Sequence, residues 1–215
     1  MVEEKNIFSK IFLWMFIGLA ITFGVAFYCA QNENMVYNIF SKYYWILIIL
    51  ELVVVFTLSA RIRKMNPMTA KLMFALYSFI TGLTFCSIFI IYELTSIVYV
   101  FGITSILFLI FGLIGYFTKL DLTKIGTYLF MGLIGVIILS IINIFVASET
   151  FNMTISIICL VIFLAYVAYD INKIKRNLPF FNSSENLAIY GALELYLDFI
   201  NIFIRLLQLF GRSRD

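Results

Sequence analysis

Seven apolar runs follow one another along the chain, at roughly 11–30, 44–62, 70–92, 96–117, 125–147, 154–172 and 187–210. A helix needs about 20 mainly apolar residues to cross a bilayer core of about 30 Å, and each run is near that length. The expected fold is therefore an all-α membrane protein, a bundle of seven transmembrane helices forming one integral membrane domain over residues 1–215. Almost no chain is left for a domain outside the membrane. The first run is longer than the roughly 7–15 apolar residues of a secretory leader, so it reads as a span and not as a cleaved signal.

Composition supports lipid as the solvent. Hydrophobic residues make up 63% of the chain, charged ones 13%, and the mean hydropathy is +1.05. Ordinary soluble domains are closer to half apolar and a quarter charged. A net charge of +3, scattered along the chain, gives no footprint for nucleic acid. Cys29, Cys86 and Cys159 sit in or beside apolar runs without paired spacing, and there is no histidine. They read as buried small hydrophobes, not as a disulfide framework or a zinc site. Gly112 with Gly115, and Gly132 with Gly135, put small residues where neighbouring helices can approach closely. Pro67 and Pro179 fall in expected loops.

Basic residues set the expected orientation. Arg61, Arg63, Lys64 and Lys71 surround the 2–3 loop, Lys119 and Lys124 the 4–5 loop, and Lys173, Lys175 and Arg176 the 6–7 loop. The other side has only Lys42. The positive-inside rule then places the N-terminus and the even-numbered loops in the cytoplasm. Arg212 and Arg214 end up outside if the seventh segment spans fully, and inside if it is re-entrant.

The seventh segment is the unusual one. Its stretch ALELYLDFINIFIRLLQLF carries Glu194, Asp198, Asn201, Arg205 and Gln208, which at about 100° per residue share an arc of roughly 80°. Leu193, Leu195, Phe199, Ile200, Phe203, Leu206 and Leu207 cover the other faces. Such a helix belongs in the middle of a bundle, its stripe turned toward other helices or water. Charged groups at membrane depth cost about 2.5–3.5 kcal/mol on insertion scales and usually mark ion or proton pathways. A surface-lying amphipathic tail is the plainer alternative, but its polar face is normally broader and Lys-rich.

Partners for these acids are expected on other helices: Asp170 in AYVAYDINKIKR at the end of segment six, and Glu51 in ILELVVV of segment two. Asn182, three residues before Glu185, suggests a helix start near Ser183. A helix from there to Gly211 is about 43 Å long and sets Asp198 roughly 10 Å into the bilayer, near the level of Asp170. Two carboxyls in contact cannot both ionise cheaply and can share a proton. Deprotonated, they offer hard oxygen ligands suited to Ca²⁺. Without histidine, any pH sensing near neutrality falls to such perturbed acids. Arg61 or Arg63 stands at the same end and could pair with Asp170. Each also reads as a plain basic anchor.

These motifs carry a family likeness. YDINKIK (169–175), LYLDFINIFIRLLQLFG (195–211), GYFTKLDL (115–122), MGLIG with IINIF (131–145) and the acid of ILELVVV resemble the transmembrane Bax inhibitor motif (Bax inhibitor-1) family over all seven segments. The likeness is strongest to its short bacterial YetJ-like members. The resemblance implies a seven-helix bundle with segment seven at the centre, acting as a pH-sensitive Ca²⁺ leak with Asp170 and Asp198 as the sensor pair. Glu51 matches the family's acid in segment two and joins the aspartates as a possible Ca²⁺ ligand. The family's closing arginine counts to Ile62, between Arg61 and Arg63. Glu194, Asn201 and Arg205 rank as supports of the ion path. No cofactor is implied beyond calcium as the transported or bound ion. The expected setting is a bacterial cell membrane.

Other functions leave weaker marks. Tyr169-Asp170 matches half of an intramembrane aspartyl protease signature, but LYLD replaces its GxGD and no Pro-Ala-Leu follows, so an enzyme is not expected. A proton-coupled transporter favours a helix broken by Gly or Pro near midplane, and segments six and seven show no such break. A non-conducting regulatory membrane protein needs a docking surface that these short loops hardly provide.

Overall fold

A computed structural model describes residues 2–177 and 183–214. It is 89% helical, and seven helical stretches are long and apolar enough to cross a membrane. In order they are α1 (Val2–Ala30); α2 (Glu33–Asn38), a π-helical turn (Ile39–Tyr43) and α3 (Tyr44–Arg61); α4 (Pro67–Thr84) with α5 (Cys86–Ile91); α6 (Leu94–Phe117); α7 (Thr123–Val146); α8 (Glu149–Asn177); and α9 (Ser184–Phe210). Large apolar side chains such as Trp45, Phe56, Ile144 and Phe145 stand exposed along them. A surface of that kind is stable only against lipid. The chain is an integral membrane protein.

The helices outrun the apolar runs, because polar end residues keep satisfying the backbone ladder where the chain leaves the apolar zone. Pro67 is the first residue of α4 and not a loop residue. Its missing N–H is harmless there, and the Asn66 side chain caps the helix by accepting from the Met68 amide at 2.9 Å. Pro179 and Asn182 lie outside the described residues. Ser183 fills the capping place expected of Asn182: its Oγ accepts from the Asn186 amide at 3.3 Å. The third span is interrupted at Phe85. Around the break Thr81, Thr84 and Ser87 all return their hydroxyls to carbonyls of the preceding turn, a habit that bends helices.

The chain forms two compact units. Unit 1 comprises Met1–Glu93, Leu178–Tyr196 and Ser213–Asp215. Within it α1 lies close along α4, and glycines make the approach possible. A Cβ on Gly82 would fall 2.8 Å from the Thr22 carbonyl oxygen, and one on Gly18 would fall 2.7 Å from Phe74 Cζ. The start of α9 is fastened to this unit by two devices. Glu185 is bridged by Lys10 at 2.5 Å and Lys71 at 2.6 Å. Asn186 Nδ2 donates to the carbonyls of Ile62 (2.8 Å) and Met65 (2.9 Å), serving orphan carbonyls where α3 ends.

Unit 2 comprises Leu94–Asn177 and Leu197–Arg212. Here α8 is gripped by α6 and α7. A Cβ on Gly115 would land on the Ala168 carbonyl, and one on Gly126 on the Tyr169 ring. Gly112 likewise faces Ile171 at 3.0 Å. The expectation for Gly135 needs correction. A Cβ on Gly132 would meet Ile162 closely, at 3.2 Å, as expected, whereas Gly135 faces open space; Gly126, six residues before Gly132, is the more closely packed glycine of α7.

The C-terminal residues bear on the re-entrant alternative. α9 is one continuous helix of 27 residues, about 40 Å long. In unit 1 the Arg214 amide donates to the Ile91 carbonyl at 2.8 Å, and in unit 2 the Arg212 amide donates to Ser96 Oγ at 3.0 Å. The end of the chain therefore lies beside the 3–4 loop, and α9 is long and apolar enough to span.

Candidate functional site

Both aspartates singled out from the sequence lie in unit 2, and both are buried, at 3% and 4% exposure. Asp170 sits on α8, two residues past the point where Gly115 lets α6 close on Ala168. Tyr169 is seated against Gly126. The register of α8 at this point is thus fixed from two sides. On α9, Phe199 follows Asp198 and packs against Phe101 (ring centroids 5.2 Å) and Phe108 (5.7 Å) of α6, with Phe203 adding a contact to Phe101 at 6.3 Å. Aromatic anchoring of that kind holds Asp198 in place.

A residue the sequence did not flag is influenced by both carboxyls. Tyr166, one turn before Asp170, lies within electrostatic range of both Asp170 and Asp198. Its ring meets Phe163 and Tyr169 at 6.0 Å on either side. Lys173 Nζ stands 3.3 Å from Asp170 Oδ1 and 5.5 Å from the Tyr169 ring centroid. The i,i+3 spacing of Asp170 and Lys173 is visible in YDINK and could have identified this ion pair. Carboxyls are the chemical type that can take up a proton or a hard cation. Among the described residues no three His, Cys, Asp or Glu side chains cluster tightly enough to hold a metal ion, so a cation here would draw further oxygens from carbonyls or water.

The stripe of the seventh span is only partly covered. That span is the most buried of the seven, 78% of its apolar window being covered. Yet among the stripe residues only Asp198 is buried; Glu194, Asn201 and Arg205 are half-buried and Gln208 is exposed. Leu193, Leu195, Phe199, Ile200, Phe203, Leu206 and Leu207 are all at or below 6% exposure. The helix buries its leucines and phenylalanines, which gain most from close packing, and leaves its polar face the least covered. Farther along, Arg205 Nη1 donates to Gln208 Oε1 at 2.9 Å and Ser156 Oγ to the same oxygen at 3.2 Å. Asn201 returns its amide to the Leu197 carbonyl at 2.8 Å.

Glu51, Arg61, Arg63 and Glu194 belong to unit 1. Glu51 is bonded to Thr81. Arg61 and Arg63 are exposed, while Ile62 between them is buried and lends its carbonyl to Asn186. Both arginines therefore occupy the place of helix-end anchors.

Near the expected cytoplasmic end of unit 2, the 118–122 loop is tied to α8. Arg176 Nη1 approaches Asp121 Oδ2 at 3.3 Å, Arg176 Nη2 donates to the Leu120 carbonyl at 3.2 Å, and Lys175 Nζ to that of Tyr116 at 3.3 Å. The exposed Asp121 carboxyl is held below its usual range, first by the Thr123 hydroxyl and amide and then by Arg176 and Lys124. A carboxyl depressed in the folded state adds stability above its unfolded value, and that stability is lost as pH falls through the folded value. Asp121 thus stays ionised throughout the neutral range. Asp121→Asn should leave the gap in melting temperature from wild type constant between about pH 6 and 8 and close it only in acid, below the ordinary carboxylate value of about 3.9. Thermal melts across pH check this.

Comparison with known proteins gives a consistent result. A family model described as "Inhibitor of apoptosis-promoting Bax1" matches residues 4–215. The chain is 38% identical over 213 residues to the inner membrane protein YbhL of Escherichia coli K12, covering 96% of this chain and 91% of that one. It is 40% identical over 218 residues to a protein of Borreliella burgdorferi, covering 98% and 94%. A membrane protein of Streptococcus pyogenes serotype M1 is 34% identical over 218 residues, covering 99% and 95%.

Proposed function

Because the chain belongs to the Bax inhibitor family, we propose that it is a pH-sensitive calcium leak channel of a bacterial cell membrane, with Asp170 and Asp198 as its protonatable sensor. The observation that carries this reading is the burial of both carboxyls, on different helices, with Tyr166 within electrostatic range of each. Protonated, the pair loses its charge and its hold on a cation. Deprotonated, it offers oxygen ligands of the kind Ca²⁺ prefers, and the two charges repel. Ca²⁺ and protons compete for the same atoms. The half-open polar face of α9, from Glu194 to Gln208, is suited to line the ion's route past otherwise apolar helices. The even-numbered loops, with their lysines and arginines, face the cytoplasm together with the N-terminus.

The test is Ca²⁺ entry into proteoliposomes of the whole chain at about pH 6, 7 and 8, with and without a protonophore. A passive leak follows the Ca²⁺ gradient and is unchanged when the proton gradient is collapsed. A proton-coupled carrier stops when that gradient collapses. A regulatory protein passes nothing at any pH.

A further inference from the structure

The far end of α9 carries a polar cluster that the aspartate pair does not use. Arg205 and Gln208 of α9 meet Ser156 and Cys159 of α8, all four within unit 2. Ser156 and Cys159 are buried, Arg205 is half-buried and Gln208 is exposed. The contact between Ser156 and Gln208 sets the start of α8 beside the end of α9. Arg205 stands five residues before the last residue of α9, and Ser156 seven after the first of α8. They therefore lie about 8 and 10 Å inside the helix ends. Lys175 and Arg176 occupy the opposite end of α8.

The hydrogen bonds engage the acceptor of the α9 pair and leave its donors. Gln208 Oε1 accepts from Arg205 Nη1 at 2.9 Å and from Ser156 Oγ at 3.2 Å. A guanidinium offers only N–H groups, so the oxygen end of the amide must face it, and both lone pairs of that oxygen are engaged. Another part of Arg205 reaches the Cys159 thiol. What Arg205 and Gln208 still present is N–H alone. Among the described residues no carboxylate lies within ion-pair distance of Arg205. Asp198 is two helical turns back, about 10 Å along the axis.

A cation at membrane depth without a counter-charge is unfavourable, and long basic side chains reach for the headgroup zone. A donor-only lining with one net positive charge fits an anion with several acceptor oxygens, and phosphate matches the planar guanidinium fork. The neighbouring surface indicates the source of that phosphate. Met153, Ile157 and Val161, spaced by four along α8, are all exposed and share the face of one apolar track. Phe210, two residues past Gln208, is exposed as well. Such a track suits acyl chains and not water.

We propose that Arg205 and Gln208 form a binding site for the phosphodiester headgroup of an anionic phospholipid, whose acyl chains lie along the Met153–Ile157–Val161 face of α8. Arg205 supplies the charge and the fork, and Gln208 a neutral N–H held in place by Ser156. The headgroup stands at the C-terminal end of the polar face of α9, where it offsets the Arg205 charge. This site is independent of the aspartate pair and stands whether or not the chain conducts Ca²⁺.

Native mass spectrometry of the whole protein in detergent, titrated with phosphatidylglycerol, phosphatidylcholine or inorganic phosphate, tests it by counting bound molecules. One phosphatidylglycerol per chain should bind about tenfold or more tightly than phosphatidylcholine, the worth of one charge-assisted contact. Arg205→Gln removes the charge, and Gln208→Glu keeps the acceptor but gives Arg205 a carboxylate of its own. Both should abolish the preference. Lys124→Gln, at an exposed lysine of α7, removes the same charge elsewhere in unit 2 and should leave the preference intact. No preference in the wild type, a preference that survives in either α9 variant, or an equal loss in Lys124→Gln would overturn the assignment. Displacement of the lipid by inorganic phosphate at equal concentration would mark a site for the free anion and overturn the lipid reading.

Discussion

Asp170→Asn and Asp198→Asn should each flatten the pH response of Ca²⁺ flux. A carboxyl pair that shares a proton and titrates inside a window of two pH units changes its deprotonated fraction about tenfold across it. The wild-type flux should therefore vary about tenfold between about pH 6 and 8, and each variant less than about twofold. The reason lies in the burial of both groups, at 3% and 4% exposure. Asparagine keeps the size and most hydrogen-bonding capacity of aspartate but has no proton to exchange. One substitution is enough, because a shared proton needs both holders. Asp121→Asn is the matched control: the exposed Asp121 is fixed in its ionised form by Thr123 and Arg176, and its loss leaves the shape of the profile unchanged. Flux assays on the three variants, with folding verified by size-exclusion profiles, decide the matter.

The second large effect is steric. Gly115→Ala should destabilise the protein by about 1–3 kcal/mol, the range for forcing extra atoms into a packed interior, and the upper end applies because the obstacle is backbone. The added methyl would land on the Ala168 carbonyl, pushing α6 from α8 just where Asp170 is positioned. Gly135→Ala is the contrast. Its methyl meets nothing within 4 Å, and exchanging glycine for alanine inside a helix is worth roughly 0.5–1 kcal/mol in the stabilising direction. Thermal unfolding of both variants in one detergent should move melting temperatures in opposite directions. Equal shifts would remove the close α6–α8 contact from the account.

These two sites show how far the sequence reaches. The seven spans were legible because a run of about 20 apolar residues has few alternatives in lipid. Their ends were not, since Asn34 to Tyr43 and Glu149 to Met153 are helical without being strongly apolar. Asp170 and Asp198 announce themselves as acids among hydrophobes, whereas Tyr166 looks like any aromatic core residue. Its role comes from lying one turn from Asp170 with Asp198 in range, and the second half of that is tertiary information. The polar stripe of α9 could be drawn on a helical wheel, but which face packs depends on the neighbours, and the leucines and phenylalanines won. Arg61 and Arg63 could not be separated by counting, and in the structure the buried residue is the isoleucine between them.

The most direct test of the central claim, that Asp170 and Asp198 act as one proton-sharing unit, is a double-mutant cycle on the pH profile of Ca²⁺ flux in proteoliposomes. If the pair is one unit, removing the second aspartate changes nothing after the first has gone, and both single variants and the double variant give the same flat profile. If instead the single variants keep separate titrations whose effects add in the double variant, the two carboxyls work independently and the shared sensor is refuted.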